Sequence, residues 1–243
     1  MKLTNESTPN RNAYIGMDVE RLFKNSIRTN LMVLGKLKTH FSITGNFATS
    51  YKTGTDAGKS DVILKFSDGR TLSANIKAFK AGFNQVTRAS IVNFCERFGI
   101  QSLKPIFEAG AVRVASKSGR FILESEESIV GGELVSVSKE IIHTSIAGDE
   151  NPELLVLYDR NLNKMILYDM VQVLENLNYN IAFSNRGIVK IGQYFSLQRK
   201  GGNGVHSIQI PKTSLEHPGN NLQVKLNIRK FVNETASLIS YSA

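Results

Sequence analysis

The chain has 243 residues, 41% of them hydrophobic and 21% charged, which describes an ordinary globular protein with core enough for one large domain or two small ones. Lysine and arginine outnumber aspartate and glutamate by 30 to 21, and the formal net charge of +9 favours an anionic partner such as nucleic acid. A single cysteine, Cys95, excludes an intramolecular disulfide; with no apolar run near the roughly 20 residues of a membrane span and a polar start, MKLTNESTPNRN, the expectation is a cytoplasmic protein with no membrane partner.

Residues 1–12 are polar and expected to be loosely ordered. From Gly16, the residues Met17, Val19, Leu22, Phe23 and Ile27 recur near the helical period, with Asp18 and Glu20 in the first turn, where the helix dipole favours acids. A second helix is predicted over Leu31 to Phe41. Gly45 to Lys59 reads as a loop rich in Gly, Thr, Lys and Ser, whose Lys52 and Lys59 are placed to reach phosphates. Its GTDAGKS run is not a P-loop, because three residues rather than four separate Gly54 from Gly58 and a strand rather than a helix follows.

Asp61 to Phe66 (DVILKF) and Thr71 to Phe79 (TLSANIKAF) read as two strands joined at Ser67-Asp68-Gly69. A two-residue Asp68-Gly69 turn would set Asp61 opposite Ile76, on the face away from Asn75 and Lys77. A three-residue loop, with Ser67-Asp68 in a type I turn and Gly69 left-handed, instead sets Asp61 opposite Asn75. Asp61, Asn75 and Lys77 then share one face. A carboxylate, an amide oxygen and an ammonium together suit a hard divalent ion beside a phosphate, with Lys77 positioning the attacking water and offsetting transition-state charge. The plain alternative is a solvent-facing polar hairpin.

Ser60-Asp61, Asn75-Ile76-Lys77 and Asn84-Gln85-Val86-Thr87-Arg88 resemble the PD-(D/E)XK nuclease pattern, in the variant found among type II restriction endonucleases. Ser60 stands where that motif has Pro, and Asn75 where it usually has Asp or Glu, which removes one negative charge. Restriction enzymes of this superfamily that cut four-base GC-rich palindromes are similar in having Asn or Gln there. The resemblance implies an α/β fold with a central mixed sheet flanked by helices. It also implies a magnesium ion, replaceable by manganese, held by Asp61, Asn75 and the backbone carbonyl of Ile76, with Lys77 catalytic and Gln85 supporting. Glu20 has two readings: a helix-borne carboxylate at the metal centre, or an acid near a helix start.

Gln85 to Phe98 is predicted as a helix ending at Gly99, with Val86, Ala89, Val92 and Phe94 on its apolar face and Cys95 buried. Asn84, Gln85 and Arg88 then lie near its N-terminus, where free N–H groups cap or attract anions. Within Gln101 to Glu127, Ala111 to Ala115 is strand-like and Glu124, Glu126 and Glu127 read as a solvated helix start. Gly132 to Ile146 is predicted as a helix with a structural His143, followed by strands Leu154 to Tyr158, extending the catalytic sheet, and Lys164 to Tyr168, then a helix Met170 to Asn176.

Between Ser184 and Phe231 there are eight Lys or Arg residues against one acid, Glu216. Strand-like runs Gly187 to Gly192, Tyr194 to Gln198, His206 to Ile210 and Leu222 to Leu226 alternate with Gly/Asn-rich loops. Residues 181–243 are therefore expected to form a basic β-rich DNA-recognition region continuous with a catalytic core over residues 1–180. Gln198, Arg199, Lys200, Asn203, Lys212, Asn220, Asn221, Gln223 and Lys225 are its candidate DNA contacts, since Arg and Lys suit guanine, Asn and Gln suit adenine, and lysines neutralise phosphates. For any one of them a solvated basic face is the alternative. The segments Ser196 to Asn203 and Asn220 to Lys225 are similar to C-terminal segments of the same restriction-enzyme group. His206 and His217 lack a Cys partner and suggest no zinc site.

The function expected from the resemblance is sequence-specific, magnesium-dependent cutting of double-stranded DNA to leave 5'-phosphates, by a monomer or homodimer, alongside a cognate DNA methyltransferase. A repair or junction-resolving nuclease of the same superfamily is one alternative. A non-catalytic DNA-binding protein, with Asn75 marking a lost site, is another.

Overall fold

The structure, a computed structural model, describes residues 11–52, 61–148, 151–202 and 209–243. Lys59, Ser60 and the rest of GTDAGKS, together with Asn203 and His206, lie outside the described residues. In chain order the elements are α1 (Arg11–Thr29), α2 (Leu31–His40), β1 (Phe47–Lys52), β2 (Val62–Phe66), β3 (Thr71–Phe79), β4 (Asn84–Ala89), α3 (Ile91–Arg97), α4 (Lys104–Ala115) and α5 (Glu124–Ile146). There follow β5 (Leu154–Asp159), β6 (Lys164–Asp169), α6 (Met170–Asn176), β7 (Ile181–Phe183), β8 (Val189–Ile191), β9 (Phe195–Arg199), β10 (Leu222–Leu226), α7 (Ile228–Glu234) and β11 (Ile239–Ser242). Among the described residues no helix is long and apolar enough to cross a membrane.

The chain divides into two compact units, each drawn from separate stretches: Met1–Lys80, Asp149–Val173 and Ala236–Ala243 in the first, Ala81–Gly148 and Leu174–Thr235 in the second.

The first unit is built on a six-stranded sheet in the order β1-β2-β3-β5-β6-β11, in which β3 and β5 run parallel and the other neighbours antiparallel. On α1, Val19, Phe23 and Ile27 recur every fourth residue, so they form one stripe. That stripe is buried against Val62, Leu64, Leu72, Ala74 and Ile76, the alternate residues of β2 and β3. Each such side chain contributes about 1.5–3 kcal/mol by leaving water. The Asn30 side chain accepts the Val33 N–H at 3.2 Å and starts α2 as a separate helix.

The β2–β3 hairpin has the three-residue loop. The Gly69 N–H donates to Phe66 O at 3.1 Å, the Phe66 N–H to Arg70 O at 2.9 Å, and Gly69 has φ 85, which an L side chain rarely adopts. The Asp68 carboxylate takes the N–H groups of Gly45, Thr44 and Arg70 at 2.6, 3.0 and 3.1 Å, fastening the turn to the segment before β1. Gly45 is required there, since a Cβ would sit 2.5 Å from the Asp68 nitrogen. The sequence reading of residues 45–59 as loop is corrected over Phe47–Lys52, which pairs antiparallel with β2 as an edge strand. Mostly exposed, and bulged between Phe47 and Thr49, it lacks the alternation that marks a strand.

The second unit holds a five-stranded antiparallel sheet in the order β4-β10-β9-β8-β7, with α5 packed along β4 and β7. The helix predicted from Gln85 is corrected: Asn84–Ala89 is strand β4. The helix α3 begins only at Ile91, after Ser90 accepts the Asn93 N–H at 3.1 Å. The pairing of this segment with β10 outweighs its weak helical pattern. Ala111 to Ala115 is helical, within α4, and α5 starts at Glu124, eight residues before its predicted start at Gly132. Glu124 is solvated as expected, and all three acids at that start are also ion-paired: Glu126 with Arg113 at 2.7 Å, and Glu124 and Glu127 with Arg120 at 2.5 Å each. Gln209 and Ile210, expected in a strand, lie in turn structure. The whole is the expected α/β class, a central mixed sheet flanked by helices with a β-rich C-terminal part.

Candidate functional site

In the first unit the hairpin register decides what meets what. The Asp61 N–H donates to Ala74 O at 2.8 Å, continuing the Val62–Ala74 pairing by one residue and placing Asp61 opposite Asn75. Leu72, Ala74 and Ile76 face α1, so Asn75 and Lys77 face the other way, with Asp61. Asp61 Oδ2 accepts the Ile76 N–H at 2.6 Å and stands 3.8 Å from Lys77 Nζ. The Asp61 and Lys77 side chains remain 29% and 27% exposed, while Asn75 is fully buried. Across the sheet, β5 sets the buried Leu155 and Leu157 beside Asn75 and Lys77, so the polar trio has an apolar flank that strengthens local electrostatics.

One carboxylate oxygen of Asp61 is thus fixed by the backbone, and among the described residues no hydrogen bond reaches the other, Oδ1. The donors fit a hard divalent ion in kind: the half-open Asp61 carboxylate, the Asn75 amide oxygen and the Ile76 carbonyl are all oxygen ligands. Among the described residues there is no group of three or more His, Cys, Asp or Glu able to hold a metal. With one carboxylate in the set, an ion here depends on further oxygens from water and from a bound phosphate.

Glu20 and Lys52 form an ion pair at 2.9 Å. Lys52 pairs with Val62, whose side chain packs under α1, so this pair belongs to the helix-covered face. The Asp61, Asn75 and Lys77 face is the opposite one.

In the second unit β9 and β10 alternate strictly. Leu222, Val224 and Leu226 with Phe195 and Leu197 make a buried apolar face, and Gln223 and Lys225 with Ser196 and Gln198 make the reverse face. Two rows of partners cross this polar face: Arg88, Gln223 and Gln198, then Gln85, Lys225, Ser196 and Lys190. Gln85 and Arg88 are three apart and would ordinarily point to opposite faces. The bulge in β4, opposite Val224 and Lys225, brings both to the polar one. These rows contain three cations and no carboxylate. Sequence reading named Gln85, Arg88, Gln198, Gln223 and Lys225 separately; it missed Lys190 and Ser196, which the alternation of VKI and FSLQR would have signalled.

The loops hold the remaining candidates. Asn220 is buried and braces the loop system: its Oδ1 accepts from Arg199 Nε at 2.6 Å, and its Nδ2 donates to Lys212 O at 2.9 Å and Ser214 O at 2.5 Å. Gln223 is buried too, donating to Arg199 O and Lys200 O at 3.4 and 3.2 Å. The Lys200 N–H bonds to Asn221 O at 2.8 Å, and Lys212 is exposed. Asn84 opposes Leu226 at the end of β4. His217 is buried and accepts the Gly219 N–H at 2.9 Å, a capping role.

No protein-family model matches the chain, and no curated protein matches it. Among solved structures, the crystal structure of the restriction endonuclease MspI in complex with its cognate DNA is similar, with a TM-score of 0.47 and 11% identity over 88% of this chain and 87% of that one.

Proposed function

We propose that this chain is a type II restriction endonuclease, hydrolysing phosphodiester bonds of double-stranded DNA at a short specific sequence with magnesium and leaving 5'-phosphates. The observation that supports it is the hairpin register, which puts Asp61, Asn75 and Lys77 on one face with a carboxylate oxygen 3.8 Å from the ammonium. These are the residues on which the sequence resembles PD-(D/E)XK nucleases.

Asp61, Asn75 and the Ile76 carbonyl would hold the ion, which when bound supplies Lewis acidity and an activated water; manganese has the same oxygen preference. The backbone bond from Ile76 keeps the Asp61 carboxylate aimed without reorganisation. Lys77 orients the attacking water and offsets the negative charge that grows on the phosphoryl oxygens. Glu20 pairs with Lys52 at 2.9 Å, and this reading takes no ligand for the ion from it. Residues 1–180 carry the cutting chemistry and 181–243, with Gln85 and Arg88 of β4, the contacts to DNA. Arg88, Lys190 and Lys225 draw in phosphates and the amides of Gln85 and Gln198 meet base edges. Under this reading the protein acts as a monomer or homodimer, and a methyltransferase modifies the same sequence.

Digestion of a long sequenced DNA with and without magnesium, followed by sequencing of the ends, tests the proposal. Discrete metal-dependent fragments sharing one short motif are expected. Asp61→Ala and Lys77→Ala should each reduce cutting by at least about 100-fold. Cutting without sequence preference would point to a repair nuclease, and tight salt-sensitive binding with no cutting to a binding protein.

A further inference from the structure

The second unit contains a cavity of about 410 Å³ that the catalytic reading does not use, lined by Arg120, Arg186, Gln198 and Arg199 over an apolar floor of Phe121 and Ile188. Its volume is in the range of small-ligand sites, which are typically apolar with a few placed polar groups. The three guanidiniums differ in what neutralises them. Arg120 is committed to Glu124 and Glu127 and also donates to Ser184 O at 3.1 Å, so it is a fixed, compensated wall. Arg199 gives its Nε to the neutral amide oxygen of Asn220, and among the described residues neither Arg199 nor Arg186 meets a carboxylate. Burial lowers the Arg199 pKa from its ordinary value, the direction expected of a cation with no anion beside it.

The backbone of Arg186 is also held in place. Phe121 N–H donates to Arg186 O at 3.0 Å, and Ile122 N–H to Gly187 O at 3.2 Å. Gly187 closes the turn with φ 69, where a Cβ would lie 2.2 Å from Ile122 O. The turn is therefore pinned to the segment between α4 and α5. Two guanidiniums on fixed supports, without acids, present the forked donors that match the oxygens of a phosphate.

We propose that this cavity is a phosphate-binding site for a deoxynucleotide, with Arg186 and Arg199 on the phosphate and the apolar remainder against Phe121 and Ile188. The phosphate comes either from a free deoxynucleoside 5'-monophosphate or from the end of a DNA strand. Only the second source rests on the function proposed above.

The test is calorimetric titration in low salt with a chelator and no divalent ion, using Lys77→Ala protein, so that binding is read independently of any cutting. The probes are inorganic phosphate, a deoxynucleoside 5'-monophosphate, and a short duplex with either a 5'-phosphate or a 5'-hydroxyl. Saturable one-site binding of the monophosphate is expected, weakened about tenfold or more by Arg186→Ala and less by Arg186→Lys and Arg199→Lys. A duplex preference for the 5'-phosphate that disappears in Arg186→Ala would assign the strand end. Equal binding of both duplexes, with the monophosphate still bound through Arg186, would assign the free nucleotide. No saturable binding of any phosphate probe, or binding indifferent to all three substitutions in protein with an unchanged thermal transition, overturns the proposal.

Discussion

Asp68 and Cys95 show how single side chains set the conditions under which the fold survives. The Asp68 carboxylate is held below its ordinary value of 3.8, chiefly by the Gly45 N–H, with Arg70 and Thr44 also donating. A carboxylate with a lowered folded-state pKa adds stability above its unfolded value and loses it as the pH falls through the folded one. Asp68→Asn should therefore lower the denaturation midpoint at pH 7 and make progressively less difference below about pH 4, which urea titrations at several pH values will show. Burial pushes the Cys95 thiol up from 9.0 to about 11. The unfolded chain ionises first, so native stability falls as the pH rises between those values. At pH 8 a thiol reagent should label Cys95 only on unfolding, at the same rate as the loss of helical signal. Side-chain period and turn chemistry narrowed Asp61, Asn75 and Lys77 to two registers, and the fold takes the three-residue loop, in which they share a face. The burial of Asn220 was not legible, because Lys212 and Ser214 satisfy it with backbone carbonyls, which no side-chain pattern marks, and Arg199 comes from a separate strand.

At the scale of elements, Ser90 separates strand from helix. Its side chain satisfies the Asn93 N–H, so Ser90→Ala should cost about 1 kcal/mol in equilibrium unfolding and leave DNA affinity unchanged. Arg88, two residues earlier, should behave in the opposite way. It is exposed on the polar face of β4, and Arg88→Ala should leave stability nearly unchanged while reducing the magnitude of the salt slope of DNA binding by about one unit. Reading 85–98 as one helix missed this contrast because Val86, Ala89 and Val92 fit a helical stripe as well as strand positions. What chose the strand was β10, more than 130 residues away in the chain. A different reason hid β1, whose partner β2 is nearby but whose own residues carry no alternation. The strands β2, β3, β5, β6, β9 and β10 were legible because each alternates or runs apolar between turn residues.

For the whole molecule, the net charge of +9 and the acid-free rows of the second sheet point the same way. Binding to duplex DNA should fall linearly in log–log plots against salt, and Arg88→Ala, Lys190→Ala and Lys225→Ala should each flatten that slope without changing which sequence is bound. A slope unchanged from that of the unsubstituted protein in all three variants would remove the polar face from the DNA interface.

The first unit takes its strands from three stretches of chain, and its edge strand β11 follows every residue of the second unit. During synthesis the ribosome releases Asp61, Asn75 and Lys77 early, but β5, the parallel neighbour of β3, emerges only after Gly148, and β11 only after Thr235. The sheet that bears the trio therefore stays incomplete until the second unit has been made. A nascent or truncated fragment carrying the whole motif would still lack the sheet that orients it. That ordering delays a complete sheet until both β5 and β11 have followed the motif out of the ribosome.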